Sequence, residues 1–189
     1  MQHWGYRNYG GWARCDLRYD ILGSTDVAPQ GYGAIATEGQ VGYDATENCT
    51  LNPVANTLMS CLPEELRKVM KPITKYTDNV GGGTGHVEDN ISGVVDYLPL
   101  LGEYEIFTKE SGAYAANEYE QNYQKQYEYY AMGNSRVKYL DTDNATSAWW
   151  WERSPYYGNT YSFCSVDTNG GANSYYADFS YGIAPALLV

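Results

Sequence analysis

The spacing of apolar residues changes character along this chain, from a helical period in the first two thirds to strand-like alternation at the end. Trp12, Cys15, Tyr19 and Leu22 recur at helical spacing and predict a helix over residues 12–22 that stops before Gly23-Ser24. After a long connection, Leu62, Leu66, Val69 and Met70 form one stripe of a helix predicted over 58–70; Pro63 suits an early turn and Pro72 ends it. Residues 72–77 read as a strand. Gly81-Gly82-Gly83-Thr84-Gly85 reads as an exposed, mobile insertion, because so many glycines hold no regular structure. A third helix is predicted over 117–131. Asn117 and Glu120 stand at capping-box spacing, and Tyr119, Tyr123, Tyr127 and Tyr130 share one face suited to core or interface packing. Short strands are predicted over 148–152, 161–166, 173–177 and 183–188. Two to three helices followed by short antiparallel strands specify an α+β class, and 189 residues suit one domain with its own core.

The C-terminal strands carry a restricted alphabet. After Trp149-Trp150-Trp151-Glu152-Arg153-Ser154-Pro155 come 26 residues, 156–181, without a Lys, Glu, Gln, Trp or Met. Those five types fill 33 of the 189 positions, so their joint exclusion has a chance of under roughly 1% against the chain's own composition. One physical cause is a contact surface in which Tyr supplies large amphipathic area at low entropic cost and Ser, Gly and Asn supply adaptable hydrogen bonds. A genetic cause excludes the same five types. Asparagine codons with a fixed final pyrimidine, randomised at both adenines, reach every amino acid except Lys, Glu, Gln, Trp and Met, and reach no stop codon.

Strand periodicity sharpens the choice: Phe163, Val166 and the frame residues Ala172, Ala177 and Gly182 read as inward or structural. It leaves Tyr156, Tyr157, Asn159, Tyr161, Ser162, Ser165, Asp167, Gly171, Asn173, Ser174, Tyr175, Tyr176, Asp178, Phe179 and Tyr181 as candidates to face a ligand. Tyr157, Tyr161, Tyr175, Tyr176 and Phe179 are the expected anchors, since aromatic residues dominate interface energetics. Trp149, Phe163 and Leu187 are expected in the core. In the Trp triplet, Trp149 and Trp151 share one strand face and Trp150 the other; core packing is the stronger reading, with Trp150 the candidate to stack on a ligand.

The pattern Trp-Trp-x-Arg-Ser-Pro, Phe163-Cys164-x-Val166, Asn169-Gly170 and Tyr181-Gly182-Ile183-Ala184-Pro185 resembles a bacterial and phage family with a C-type-lectin-type fold, which includes the variable proteins of diversity-generating retroelements. The resemblance extends upstream through Gly10-Gly11-Trp12-Ala13-Arg14-Cys15-Asp16-Leu17-Arg18, Pro72-Ile73-Thr74-Lys75-Tyr76-Thr77-Asp78-Asn79, Leu100-Leu101-Gly102-Glu103-Tyr104-Glu105-Ile106-Phe107 and Gly133-Asn134-Ser135-Arg136. It implies a fold of the lectin-like, formylglycine-generating-enzyme type, a variable face over 156–181, and a place on a phage tail or bacterial surface. Lectin-type folds pair an early strand with the last one. That strand is expected within residues 3–9, or upstream if the chain is the C-terminal part of a longer protein.

Charge and motifs narrow the function. A net charge of −11 with no basic block longer than Arg67-Lys68 argues against nucleic acid and anionic membranes. No apolar run is long enough to span a bilayer, and the start of the chain has no signal-peptide pattern. Cys15, Cys49, Cys61 and Cys164 lack zinc-site spacing and read as small buried hydrophobes, with one bridge from Cys15 or Cys49 to Cys61 as the alternative. Asp141-Thr142-Asp143-Asn144 lacks the spacing and closing Glu of a calcium loop and reads as a solvated turn. Glu103 and Glu105 read as a solvated face, and Arg153 beside Glu152 as a structural ion pair or backbone clamp. His3 and His86 fall in no hydrolase or metalloprotease motif. Neither an enzyme nor a cofactor or metal is expected. The expected function is recognition of a cell-surface protein or glycan by a diversified face, in a multivalent assembly that compensates for a modest single-site affinity. The alternative is a non-diversified carbohydrate-binding or structural module.

Overall fold

A computed structural model describes residues 7–25, 49–141, 143 and 146–189. Among the described residues the four α-helices are short: α1 Leu58–Cys61, α2 Glu64–Arg67, α3 Glu103–Ile106 and α4 Glu128–Ala131. A hairpin pairs β1 Ile73–Asp78 with β2 Ile91–Asp96, and a smaller one pairs β3 Lys138–Tyr139 with β4 Ser147–Ala148. The main sheet has the order β7-β6-β5-β8, from β5 Trp150–Pro155, β6 Ser162–Val166, β7 Ala172–Tyr176 and β8 Gly182–Ile183. Short helices beside small, mostly antiparallel sheets make the chain α+β. The exception is β8, which pairs parallel with β5.

The predicted helices are broken up, each for its own reason. Residues 12–14 form a 3-10 turn and Leu17–Leu22 a π-helix, closed by Gly23 in the left-handed conformation. Pro63 starts α2 instead of sitting within one helix, so the 58–70 stripe is split in two. In the 117–131 segment Asn117 caps as expected, accepting from the Tyr119 N–H at 3.2 Å. Glu120 does not complete the capping box: it is buried and accepts from Thr77 Oγ1, the Asp78 N–H, Ser154 Oγ and Gln124 Nε2 at 2.5–2.8 Å. The helix therefore stops as a 3-10 segment, Glu118–Asn122, and the tyrosine stripe disperses: Tyr123 and Tyr127 are exposed while Tyr130 is buried. The glycine stretch is not a mobile insertion. Asp78 Oδ1 accepts from the N–H groups of Val80 and Gly81, and the left-handed Gly81 lies so close to the Asn8 carbonyl that a Cβ would sit 1.9 Å from its oxygen.

The main sheet separates two cores. On one side Trp151, Phe163 and Ala177 pack with Trp12, Leu22, Met59, Leu98 and Leu100; on the other Trp150, Cys164 and Val166 pack with Ile106, Phe107, Ala115 and Tyr130. Alternation along β5 and β6 produces this division, and it makes both strands buried on both faces. Beneath the first core, the N-terminal segment is tied down by the buried Arg18–Asp96 ion pair at 2.8 Å, and Trp12 Nε1 donates to the same carboxylate at 2.6 Å. Part of the predicted early strand, and part of the Asp141 turn, lie outside the described residues. Leu187 is 44% exposed, because β8 ends at Ile183 and the last residues make only isolated bridges. Cys61 is an exposed free thiol, so it forms no bridge to the buried Cys15 or Cys49.

Candidate ligand-binding face

The hairpin β6–β7 sets the geometry of the restricted segment. Its register pairs Ser162 with Tyr176, Phe163 with Tyr175 and Ser165 with Asn173, and it turns through residues 167–171. Ser162 and Ser165, predicted to face a ligand, are buried: β6 is an inner strand of the sheet, covered on both faces. Ser162 Oγ accepts from Asn159 Nδ2 at 3.0 Å, holding the preceding loop instead of a ligand. Trp150 is buried as well, donating from Nε1 to the Arg136 carbonyl at 2.9 Å, so it is not a stacking platform.

Aromatic residues converge at the Tyr176 end of the hairpin. Tyr161 packs edge-on to Tyr176 at 5.1 Å between centroids, Phe179 meets Tyr175 at 4.4 Å, and Tyr181 lies 5.4 Å from Tyr175. Trp149 joins them, stacked on Tyr181 at 5.3 Å with a 25° interplanar angle. Tyr161, Tyr176 and Phe179 are 39%, 51% and 41% exposed, whereas Trp149, Tyr175 and Tyr181 are half-buried. Desolvation, then Tyr175, pushes the Tyr181 phenol up to about 12. Asp178 is exposed beside this cluster in sequence. The sequence places Trp149 in the core, but the structure leaves it half-buried here; the signal for this place is its alternation with Trp150, which puts it on the face of Trp151 and Tyr181.

The other candidates fall in two further places. Tyr156 and Tyr157 meet edge-on at 5.3 Å, and Tyr157 lies 4.0 Å from the His86 ring, with Asn159 nearby in the same loop. His86 Nδ1 accepts from the Glu118 N–H at 3.1 Å, which orients the ring. Asp167 and Gly171 close the opposite end of the hairpin, where Asp167 Oδ1 accepts from the Asn169 and Gly171 N–H groups. The five-residue strand Ala172–Tyr176 runs from that end to Tyr176, a span of roughly 16 Å. Asn173 and Ser174 lie half-buried between the two ends. The fifteen candidates are thus not one contiguous patch.

A dense polar cluster lies behind the sheet. Glu103 and Glu105 are buried, contrary to the solvated reading; two carboxylates inside the apolar run from Leu98 to Phe107 were the available signal. Glu105 accepts from Lys75 Nζ and Arg153 Nη1, each at 2.5 Å. Burial alone pushes its carboxyl up, but the two cations outweigh it and hold it below its ordinary value. Arg153 therefore pairs with Glu105 and not with its neighbour Glu152, and it also clamps the Leu100 and Tyr76 carbonyls. Glu103 accepts from the backbone N–H groups of Tyr114 and Ala116 and from Cys164 Sγ at 3.3 Å. Desolvation pushes Glu103, Glu120, Glu152 and Cys164 all upward, Glu120 to about 7.

A family model described as a domain of unknown function, DUF6273, matches residues 22–189. No curated protein and no solved structure matches the chain.

Proposed function

We propose, for a chain that belongs to the DUF6273 family of domains of unknown function, a role in ligand recognition through the aromatic face at the Tyr176 end of the β6–β7 hairpin. On this reading the fold is C-type-lectin-like and the face is, or descends from, one diversified by a retroelement. The observation that carries it is the division of the restricted segment. Phe163, Cys164, Val166 and Ala177 lock it into two cores, while Tyr161, Tyr176 and Phe179 project as mutually packed, exposed rings. Aromatic anchors on a rigid frame give binding energy without ordering cost, and variation confined to the rings leaves the frame untouched. Asp178 and the half-buried Tyr175, Tyr181 and Trp149 supply the rim. A phage-tail or bacterial-surface setting suits such a face, because repeated copies raise avidity by about 10² to 10⁴.

The genomic neighbourhood tests the diversified form. A reverse-transcriptase gene is expected beside this one, with a near-copy of the coding segment for 156–181 that differs where the copy has adenine. Identical 156–181 segments in closely related genomes would overturn diversification. The Trp149–Tyr181 stack, with flat, half-exposed rings, favours a second reading as a sugar-stacking module. Glycan arrays separate the two: a stacking module binds one sugar class across relatives, whereas a diversified face changes target with its sequence.

A further inference from the structure

Glu103, Glu152 and Cys164 form a cluster that neither the folding of the sheet nor the aromatic face explains. They come from α3 and the adjacent strands β5 and β6, all three are buried, and one donor atom from each lies within 4.8 Å of the others. Glu103 is fixed in place, its oxygens accepting from the Tyr114 and Ala116 N–H groups. Glu152 is the anomaly: it is 0% exposed, and among the described residues neither carboxylate oxygen has a hydrogen-bond partner. A desolvated carboxylate with no donor is strongly unfavourable unless a proton or a cation neutralises it. The guanidinium of its sequence neighbour Arg153 is already engaged by Glu105 and two carbonyls.

We propose that Glu103, Glu152 and Cys164 bind a structural divalent transition-metal ion, zinc by the nature of the donors. The set of two carboxylates and one thiol discriminates among cations: calcium and magnesium prefer all-oxygen shells, whereas zinc accepts thiolate and carboxylate together. The spacing agrees. Zinc–oxygen bonds near 2.1 Å and zinc–sulfur bonds near 2.3 Å place tetrahedral ligands about 3.5 Å apart, and Cys164 Sγ lies 3.3 Å from Glu103 Oε2. Glu152 supplies the third ligand, and its second oxygen or a water the fourth position. Binding releases the thiol proton and joins α3, β5 and β6 at one point directly behind the hairpin that carries the aromatic face. The inference does not depend on what that face recognises.

Since the site is enclosed, the metal is loaded during folding, and the test starts from denatured protein refolded with zinc or with a chelator. About one zinc per chain is expected by elemental analysis after desalting, with a higher Tm for the zinc-refolded sample. Cobalt in place of zinc should give a thiolate-to-cobalt charge-transfer band in Cys61→Ser, which removes the exposed thiol, and lose it in Cys164→Ser. Glu152→Gln supplies a variant whose folding is not in question, since it replaces an unpartnered carboxylate by a neutral isostere. It should melt no lower than the wild type in chelator and lose the zinc-dependent rise in Tm. Wild-type protein that takes up no zinc on refolding would overturn the proposal. So would zinc content and cobalt spectra unchanged by both Glu152→Gln and Cys164→Ser.

Discussion

At the residue scale, neighbouring tyrosines in one strand play different parts. Tyr176 is 51% exposed on the outer side of β7, whereas Tyr175 is half-buried against the first core and touches Trp149, Phe179 and Tyr181. Tyr176→Ser should therefore shift stability by no more than about 0.5 kcal/mol, while Tyr175→Ser should cost roughly 1–3 kcal/mol because it removes a packed ring. Urea midpoints at constant m decide the matter. Equal losses for the two would mean that the edge of the sheet is not divided into frame and display. Sequence alternation alone treats Tyr175 as a display residue; its packing makes it a support for the rings that are displayed.

At the scale of elements, the loop that carries Tyr156, Tyr157 and Asn159 is held by a residue far away in sequence. Asn8 Nδ2 lies within 2.8–3.2 Å of the carbonyls of Tyr156, Asn159 and Ser162, and Asn8 Oδ1 accepts from the Gly82 N–H at 2.8 Å. One buried amide thus joins the N-terminal segment, the glycine loop and the start of β6. Asn8→Ala takes the donor from the half-buried Tyr156 and Asn159 carbonyls and the acceptor from the Gly82 N–H, while the Ser162 carbonyl keeps the Tyr156 N–H, and should cost about 1–2 kcal/mol. Amide exchange should quicken in residues 81–83 and 157–162 more than in β5. Uniform quickening across the sheet would show instead that these loops open only with global unfolding. The apolar stripes in the sequence located the helical segments but not their ends, because a stripe reports neither kind of stop: Glu120 is drawn to distant Thr77 and Ser154, and Pro63 restarts the chain locally after Leu62.

For the whole molecule, buried acids set the response to pH. Desolvation raises Glu120 to about 7, and desolvation with the Asp20 charge raises Asp16 to about 6. Between their ordinary values and these raised ones the folded state holds protons that the unfolded chain has released, so this stabilisation is full at low pH and lost as pH rises through that window. Glu105 acts oppositely: its lowered value gives stability that is lost as pH falls below the ordinary carboxylate range. The net charge of −11 at pH 7 adds self-repulsion on the alkaline side. In chelator, Tm should peak near about pH 5 and fall toward pH 7.5, with the slope reduced in Glu120→Gln. A Tm that rises steadily from pH 5 to 7.5 would contradict the raised values.

The sequence by itself determined the α+β class and the approximate places of β1, β5, β6 and β7, because strand-forming patterns are local, and it picked out the frame of Phe163, Val166 and Ala177, apolar residues that favour burial in any arrangement. It also singled out the segment that carries Tyr161, Tyr176 and Phe179. What it did not determine is which of the fifteen candidates face outward together. Period-two alternation assumes one wet face per strand, and only the packed structure reveals that β5 and β6 lie between two cores, which buries Ser162, Ser165 and Trp150. The same enclosure turned Glu103, Glu105, Glu120 and Glu152, residues that composition assigns to solvent, into an interior cluster. The burial of the first three rests on Lys75, Arg153, Cys164, the side chains of Thr77, Gln124 and Ser154, and backbone donors, and no local pattern brings those partners together.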